Sequence, residues 1–311
     1  MRIIFLILIL LSLQSCSDTT TENTDSTNET VAEGNDITDS TFTNRSATCE
    51  DYINQYYSTV LDVQNNNNFT AEIAITVSDN TCTITANSIP NHNFNHSPAN
   101  FATVTSEITA SYDIPSNPTI ANSITELSLS YNDAIFLNGV KLDLLSAGCY
   151  NVGSGMVGCN DSYLGIAWRY DPMSPLNSFG TDSHNAHTQP DGQYHYHGNP
   201  NAMFEENIES PLIGFAADGF PIYGPYINDN GTIREILSSF TLKNDGGARE
   251  ELGTEANSSY FPGGNYDGTY NEDYEYQENL GDLDECNGMT DADGNYGYYV
   301  SNSYPWVLKC F

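Results

Sequence analysis

From Cys49 onward the apolar side chains recur at every second position in short runs, and helical spacing is scarce. Phe69 to Val77 (FTAEIAITV), Cys82 to Ala86 and Leu127 to Tyr131 alternate in this way, as do Tyr296, Tyr298 and Val300 near the C-terminus. A period of two sends successive side chains to opposite faces of a pleated strand, so each run predicts a strand with one buried face. Clusters of Asn, Asp, Gly and Pro separate the runs. Gly139, Gly192, Gly231, Gly264, Gly268 and Gly294 each follow Asn, Asp or Gly and mark turns. Only Asp51 to Val63 and Ile233 to Ser239 carry spacing that fits a short helix. The predicted fold class is mainly β: one large β-rich domain over residues 49–311, with long loops and few short helices.

The chain opens on a different pattern. Met1 and Arg2 precede the apolar run Ile3 to Leu13, followed by Gln14-Ser15-Cys16. One positive charge, about eleven mostly apolar residues and a small residue before a cleavage point describe a secretory signal over residues 1–15. The run is too short to span a bilayer as a mature helix. A Cys after a Leu-x-Ser step resembles the bacterial lipoprotein signal, in which Cys16 becomes the lipidated N-terminus; an ordinary signal peptide that happens to contain Cys16 is the alternative. Ser17 in place of Asp implies an exported, outer-membrane lipoprotein, periplasmic or surface-exposed. Residues 17–48 are acidic and nearly devoid of large apolar side chains, so 16–48 is expected to be a flexible acidic linker.

Charge narrows the partners. With 41 Asp and Glu against 8 Lys and Arg, the formal charge is −33. Such a field repels phosphate backbones and anionic headgroups, which excludes nucleic acid and basic-patch membrane docking. Membrane contact is then expected through the N-terminal lipid only. With Cys16 set aside, Cys49, Cys82, Cys149, Cys159, Cys286 and Cys310 remain, and no Cys-x-x-Cys occurs. An even count in an exported chain reads as disulfides. Their grouping in three neighbourhoods favours Cys49–Cys82, Cys149–Cys159 and Cys286–Cys310, a disulfide-stapled domain.

An internal repeat relates Asp182 to His197 (DSHNAHTQPDGQYHYH) to Asp284 to Tyr299 (DECNGMTDADGNYGYY). Each reads as a loop, an Asp-Gly turn and a Tyr-x-Tyr strand, with chance similarity between turn-rich segments as the alternative. The first copy carries four of the chain's six histidines and the second carries none. His195 and His197 are two apart, so on a strand both rings share one face, about 6 to 7 Å apart at the backbone. His187 in the preceding loop completes a three-histidine set with an open position, which suits a divalent transition metal, zinc or copper above all. His92, in the IPNHNFNH segment with His96, and Asp218, in GFAADGFPIYGPY, are the candidates for a fourth ligand or a base. Asp218 also fits an ordinary turn position, and the histidines also fit half-buried filler on aromatic strands. Neutral imidazoles are required for ligation, so metal binding is expected to weaken below about pH 6.5. No HExxH helix, GxSxG elbow or phosphate-binding GxxxxGK[ST] loop is present.

These blocks, in their order, resemble the YHYH-domain family of bacterial exported proteins. The resemblance rests on NSIPNH (87–92), FLNGV (136–140), Trp168 with Tyr170, NAHTQPDGQYHYHG (185–198), IGFAADGFPIYGPY (213–226) and SSFTLK (238–243). It continues through GGNYDGTYNEDYEY (263–276), GDLDECNG (281–288) and the closing Tyr304-Pro305 with Cys310-Phe311, so the core match covers about 82–311. It places His92, His187, His195 and His197 at family positions. Ser88 stands where the family usually has Gly, and Leu308-Lys309 is less basic than the usual ending. The resemblance implies a domain and no particular reaction. Three functions are therefore carried forward: a metal-dependent hydrolase of unspecified substrate, a non-catalytic metal-handling lipoprotein with all four histidines bound, and a surface adhesion or ligand-binding module with structural histidines.

Overall fold

In the computed structural model the described residues are 34–154, 157–252 and 258–311. The expected signal peptide, Cys16 and residues 17–33 of the expected linker lie outside them. The domain is built from β1 (Asn35–Asp36), β2 (Asn54–Asp62), β3 (Asn67–Ser78), β4 (Thr81–Ala86), β5 (Ala110–Pro115), β6 (Ala134–Phe136), β7 (Lys141–Leu142), β8 (Ala186–Thr188) and β9 (Tyr194–Tyr196). It continues with β10 (Leu212–Ala216), β11 (Pro221–Tyr223), β12 (Tyr226–Asp229), β13 (Thr232–Glu235), β14 (Phe240–Leu242), β15 (Tyr274–Tyr276), β16 (Gly288–Thr290) and β17 (Tyr296–Tyr299). Among the described residues the only helices are single 3-10 turns. The mainly β expectation is met.

The first sheet runs in the order β1-β2-β3-β4-β5. Its long strands β3 and β4 are the two alternating runs read from the sequence, with Ala71, Ile73 and Ile75 of β3 and Cys82, Ile84 and Ala86 of β4 buried. Asp51 to Val63 is corrected from helix to a strand over Asn54–Asp62, preceded by a 3-10 turn at Cys49–Tyr52. Its aromatic and β-branched residues pair antiparallel with β3, Asn54 opposite Ile75 through to Asp62 opposite Asn67, and Ser58, Val60 and Asp62 face inward. A similar correction falls on Ile233 to Ser239. Asn230 and Gly231 both take positive φ (51° and 92°), the geometry of a tight hairpin turn, and so fold β13 back on β12. Leu127 to Tyr131 is not a strand. The Ser128 and Ser130 hydroxyls and the Leu129 amide all donate to the Asp161 carboxylate, which takes the place of a ladder partner.

Residues 35–48 are also not free linker. β1 pairs parallel with β2, Ile37 is buried, the Phe42 amide donates to the Met203 carbonyl, and the Leu212 amide donates to that of Asn44. Two apolar anchors, Ile37 and Phe42, dock a segment whose average composition is polar. The disulfides are Cys49–Cys82, Cys149–Cys159 and Cys286–Cys310, with Cα atoms 6.3, 5.6 and 4.7 Å apart.

The second sheet has eight strands in the order β16-β17-β11-β10-β6-β7-β9-β8. That order is a duplication about a pseudo-two-fold axis between β10 and β6. Each half is an antiparallel hairpin (β6–β7, β10–β11) whose second strand pairs parallel with a Tyr-x-Tyr strand (β9, β17), itself paired antiparallel with an outer strand (β8, β16). The hydrogen bonds repeat in register. The Asp182 amide donates to the Ala186 carbonyl at 2.8 Å as Asp284 does to Gly288, and the His197 amide donates to Asn185 at 2.9 Å as Tyr299 does to Asn287 at 3.0 Å. Side chains repeat as well: the hydroxyls of Tyr194 and Tyr296 donate to Asp182 and Asp284. Tyr196 meets Asn138 where Tyr298 meets Asp218. The sequence repeat thus covers two of the four strands of a larger unit, and the positions of His187, His195 and His197 are held in the second half by Met289, Gly297 and Tyr299.

The tyrosine face of the first half packs on the first sheet. Gly139 sits at the hairpin turn with φ +80°, and a Cβ there would lie 2.7 Å from Ile73 and 2.8 Å from Ala86. Only glycine fits a left-handed turn pressed this closely against a sheet.

Candidate metal centre

The opposite face of β9 carries the histidines. Strand alternation buries Tyr194 and Tyr196 and turns His195, and His197 just beyond the strand, the other way. His187 lies directly across from His195 in the β8–β9 ladder. The three Nε2 atoms converge: His195 to His197 is 3.0 Å and His197 to His187 is 3.0 Å. One ligand atom from each of the three lies within 4.8 Å of the others. Tetrahedral ligation at 2.0–2.1 Å requires nitrogens about 3.3 Å apart, a few tenths of an ångström beyond the two 3.0 Å separations.

Each ring is held from behind. The Nδ1 atoms face backbone carbonyls, Phe179 O for His187 (2.6 Å), Gln193 O for His195 (3.4 Å) and Asp143 O for His197 (2.5 Å). A carbonyl oxygen only accepts, so each Nδ1 carries the proton and each Nε2 presents a bare lone pair to the same point. Three converging lone pairs repel one another unless an electrophile lies among them. Outer partners of this kind are what fix the tautomer and orientation of metal-ligating imidazoles.

Burial keeps the set neutral. Desolvation, followed by the neighbouring imidazoles, pushes His195 and His197 well below the ordinary range, and desolvation lowers His187 against the opposing pull of the Phe179 carbonyl. Protons therefore compete for these nitrogens only at lower pH than free histidine would suggest, which moves the expected weakening of metal binding below pH 6.5. Lys141, Cα partner of His195 in the parallel β7–β9 pair, is 7% exposed and ion-paired with Asp143 at 2.8 Å.

His92 and Asp218 do not join the triad. The ring of His92 is bonded to the Asn93 carbonyl (2.9 Å) and the Tyr196 hydroxyl (2.8 Å), on the far face of β9 from His195. Asp218 belongs to the second half, where it accepts from the Tyr298 hydroxyl (2.7 Å) and the Phe220 amide (3.1 Å). His96 and His184 stand outside the triad too, their rings 5.7 Å apart between centroids. Sequence reasoning missed Asp182. Its carboxylate holds the approach to β8 through Tyr194 (2.9 Å), the Asn95 amide (2.9 Å) and the His184 amide (2.9 Å). The repeat carried that signal, since Asp182 recurs as Asp284.

Desolvation, then His184, lowers His92 to about 3. The unfolded chain takes up this proton below about pH 6.5 and the folded chain does not, so His92 costs stability as pH falls. Buried Asp171 and half-buried Glu272, raised by desolvation to about 6 and about 7, work in the opposite direction. The expected result is a difference: between pH 7 and 5.5, denaturant titration should show His92→Gln losing about 1 kcal/mol less stability than wild type. Equal losses would place the His92 proton elsewhere.

Two packed β-sheets, the larger duplicated, with three imidazoles gathered in one half only, define a duplicated β protein with a single three-histidine pocket. A family described as YHYH protein matches residues 111–311, well over half of the chain, and the chain belongs to that family. The Tyr-His-Tyr-His run is Tyr194 to His197 itself, whereas the NSIPNH block with His92 falls outside the matched residues. No curated protein and no solved structure matches the chain.

Proposed function

We propose that this is an exported, lipid-anchored metal-binding protein in which His187, His195 and His197 hold zinc or copper for metal-dependent hydrolysis. The observation that supports it is the meeting of three Nε2 lone pairs whose Nδ1 positions are all committed to carbonyls. A divalent ion there supplies a Lewis acid with coordination positions that the protein does not fill. The chain's own residues do the remaining work. The carbonyls of Phe179, Gln193 and Asp143 hold the rings in one tautomer, and Tyr194, Tyr196 and the first sheet exclude water from behind. His187, the least buried of the three, marks the side from which water and substrate arrive. A closed four-histidine sphere has no support, because His92 faces the other way. All-imidazole sets favour zinc or copper over calcium and magnesium.

Metal analysis of protein purified without added metal or chelator is expected to find about one equivalent of zinc or copper, as a single three-ligand site implies. Absence of metal, with no uptake on dialysis against either ion, would return the histidines to a packing role. Chelation should then abolish turnover of any ester, phosphoester or peptide substrate found by screening, with recovery on readdition. Export and anchoring rest on Ile3 to Leu13 and Cys16. The intact mass of detergent-extracted protein is expected to show a diacylglyceryl-modified Cys16 N-terminus, and a soluble product beginning elsewhere would refute that part alone.

A further inference from the structure

The pseudo-two-fold gives every group on the tyrosine face of the first half a counterpart in the second, yet the two faces are covered differently. In the first half Phe94 and Phe101 pack on Tyr194, with centroids 5.2 and 6.0 Å away, and His92 caps the Tyr196 hydroxyl. Both tyrosines are fully buried. In the second half residues 119–125 form the opposite wall instead, and a cavity of about 410 Å³ remains against Tyr296 and Tyr298.

The lining has a definite chemistry. Phe220, Tyr296 and Tyr298 stand nearly edge to face, at 82° to 85° with centroids 5.2 to 6.4 Å apart. Asp218 and Asp284 lie among these rings, each accepting one phenol hydrogen bond, and Glu285 adds a third carboxylate. No lysine, arginine or histidine is among the lining residues, and Ile120 and Ile124 give an apolar rim. Aromatic faces beside carboxylates attract cations whose charge is spread over carbon-bound groups. A bare metal ion fits poorly, because these carboxylates do not converge as the triad does.

The internal symmetry isolates what the charge adds. Asn138, the counterpart of Asp218, is neutral and donates its Nδ2–H to the equivalent tyrosine hydroxyl, whose own proton goes to His92. An amide oxygen at position 218 would accept from Tyr298 equally well, so that hydrogen bond alone does not call for a charge. We infer that this cavity is a binding site for a small organic ammonium cation, its head against Asp218 and Asp284 within the aromatic rings and its apolar portion toward Ile120 and Ile124. The site is separate from the histidine triad and does not depend on the metal reading.

The test is calorimetric titration of the purified protein with choline at fixed ionic strength, beside 3,3-dimethyl-1-butanol, the same shape without the charge. Saturable choline binding is expected, with the neutral isostere at least tenfold weaker. Asp218→Asn, for which Asn138 is the internal precedent, should weaken choline at least tenfold, and Phe220→Leu should weaken it as well. Glu107→Gln, an equal charge change at an exposed position, and His195→Ala with His197→Ala should leave choline affinity unchanged. Failure to saturate, equal binding of the isostere, or wild-type affinity in Asp218→Asn would each overturn the proposal. The isostere comparison uses wild-type protein and decides the matter even where a variant fails to fold.

Discussion

Replacing His195 and His197 together by alanine is expected to abolish measurable zinc binding, a loss larger than the roughly 10- to 100-fold that follows removal of an outer-sphere partner. The two residues supply two of the three converging nitrogens, and among the described residues His187 belongs to no other group of three such ligands. The double variant should remain folded. The two Tyr side chains that face the first sheet are untouched, and the repulsion among the Nε2 lone pairs is relieved. Competition titration with a chromophoric chelator measures the loss, and circular dichroism checks the fold. His96→Ala and His184→Ala serve as controls and should bind zinc as wild type does. Wild-type affinity in the double variant would end the metal reading.

Asp182→Ala is expected to be among the most destabilising single changes in the domain, at about 4 kcal/mol. Three donors lose their acceptor together: the Tyr194 hydroxyl on a fully buried ring and the amides of Asn95 and His184. Each buried donor left unsatisfied costs about 1–3 kcal/mol. The same carboxylate fixes the loop that enters β8, so the change should also weaken zinc binding through His187, with no ligand altered. Asp182→Asn retains an acceptor and should recover part of both losses. Denaturant unfolding and zinc titration of the two variants would separate them. A neutral result for Asp182→Ala would mean that water replaces the carboxylate at no cost.

Much of the site was legible because strand alternation is local. His195 and His197 share a face on any strand, and the Asp-Gly turn at residues 191–192 brings His187 back across from His195. The disulfide pairing was legible from clustering. What sequence spacing did not convey is which distant segments meet. Whether His92 lies before or behind β9 depends on how the first sheet docks on the second, a contact 104 residues apart in sequence. The segment from Asp51 to Val63 reads as helix or strand on its own, and it becomes a strand because β3 offers a nine-residue partner. The duplication of the hairpins was hidden for a related reason. FLNGVKL and AADGFPI share little beyond a turn glycine, and only the parallel pairings of β7 with β9 and β11 with β17 reveal them as the same element.

Gly297 fixes what the second half can hold. Where the first half gathers imidazoles, this one gathers the rings of Tyr223 and Tyr299, with the Arg45 guanidinium 4.9 Å over Tyr223. A Cβ at position 297 would lie 2.8 Å from the Tyr223 ring and 3.2 Å from Pro221. The space that imidazoles take in the first half is filled here by neighbouring rings, with the Arg45 guanidinium beside them. Placing three histidines at positions 289, 297 and 299 would therefore be blocked unless Tyr223 and Pro221 retreated as well. The difference between the copies is therefore locked by packing: one position cannot be exchanged without moving the rings that fill the space around it.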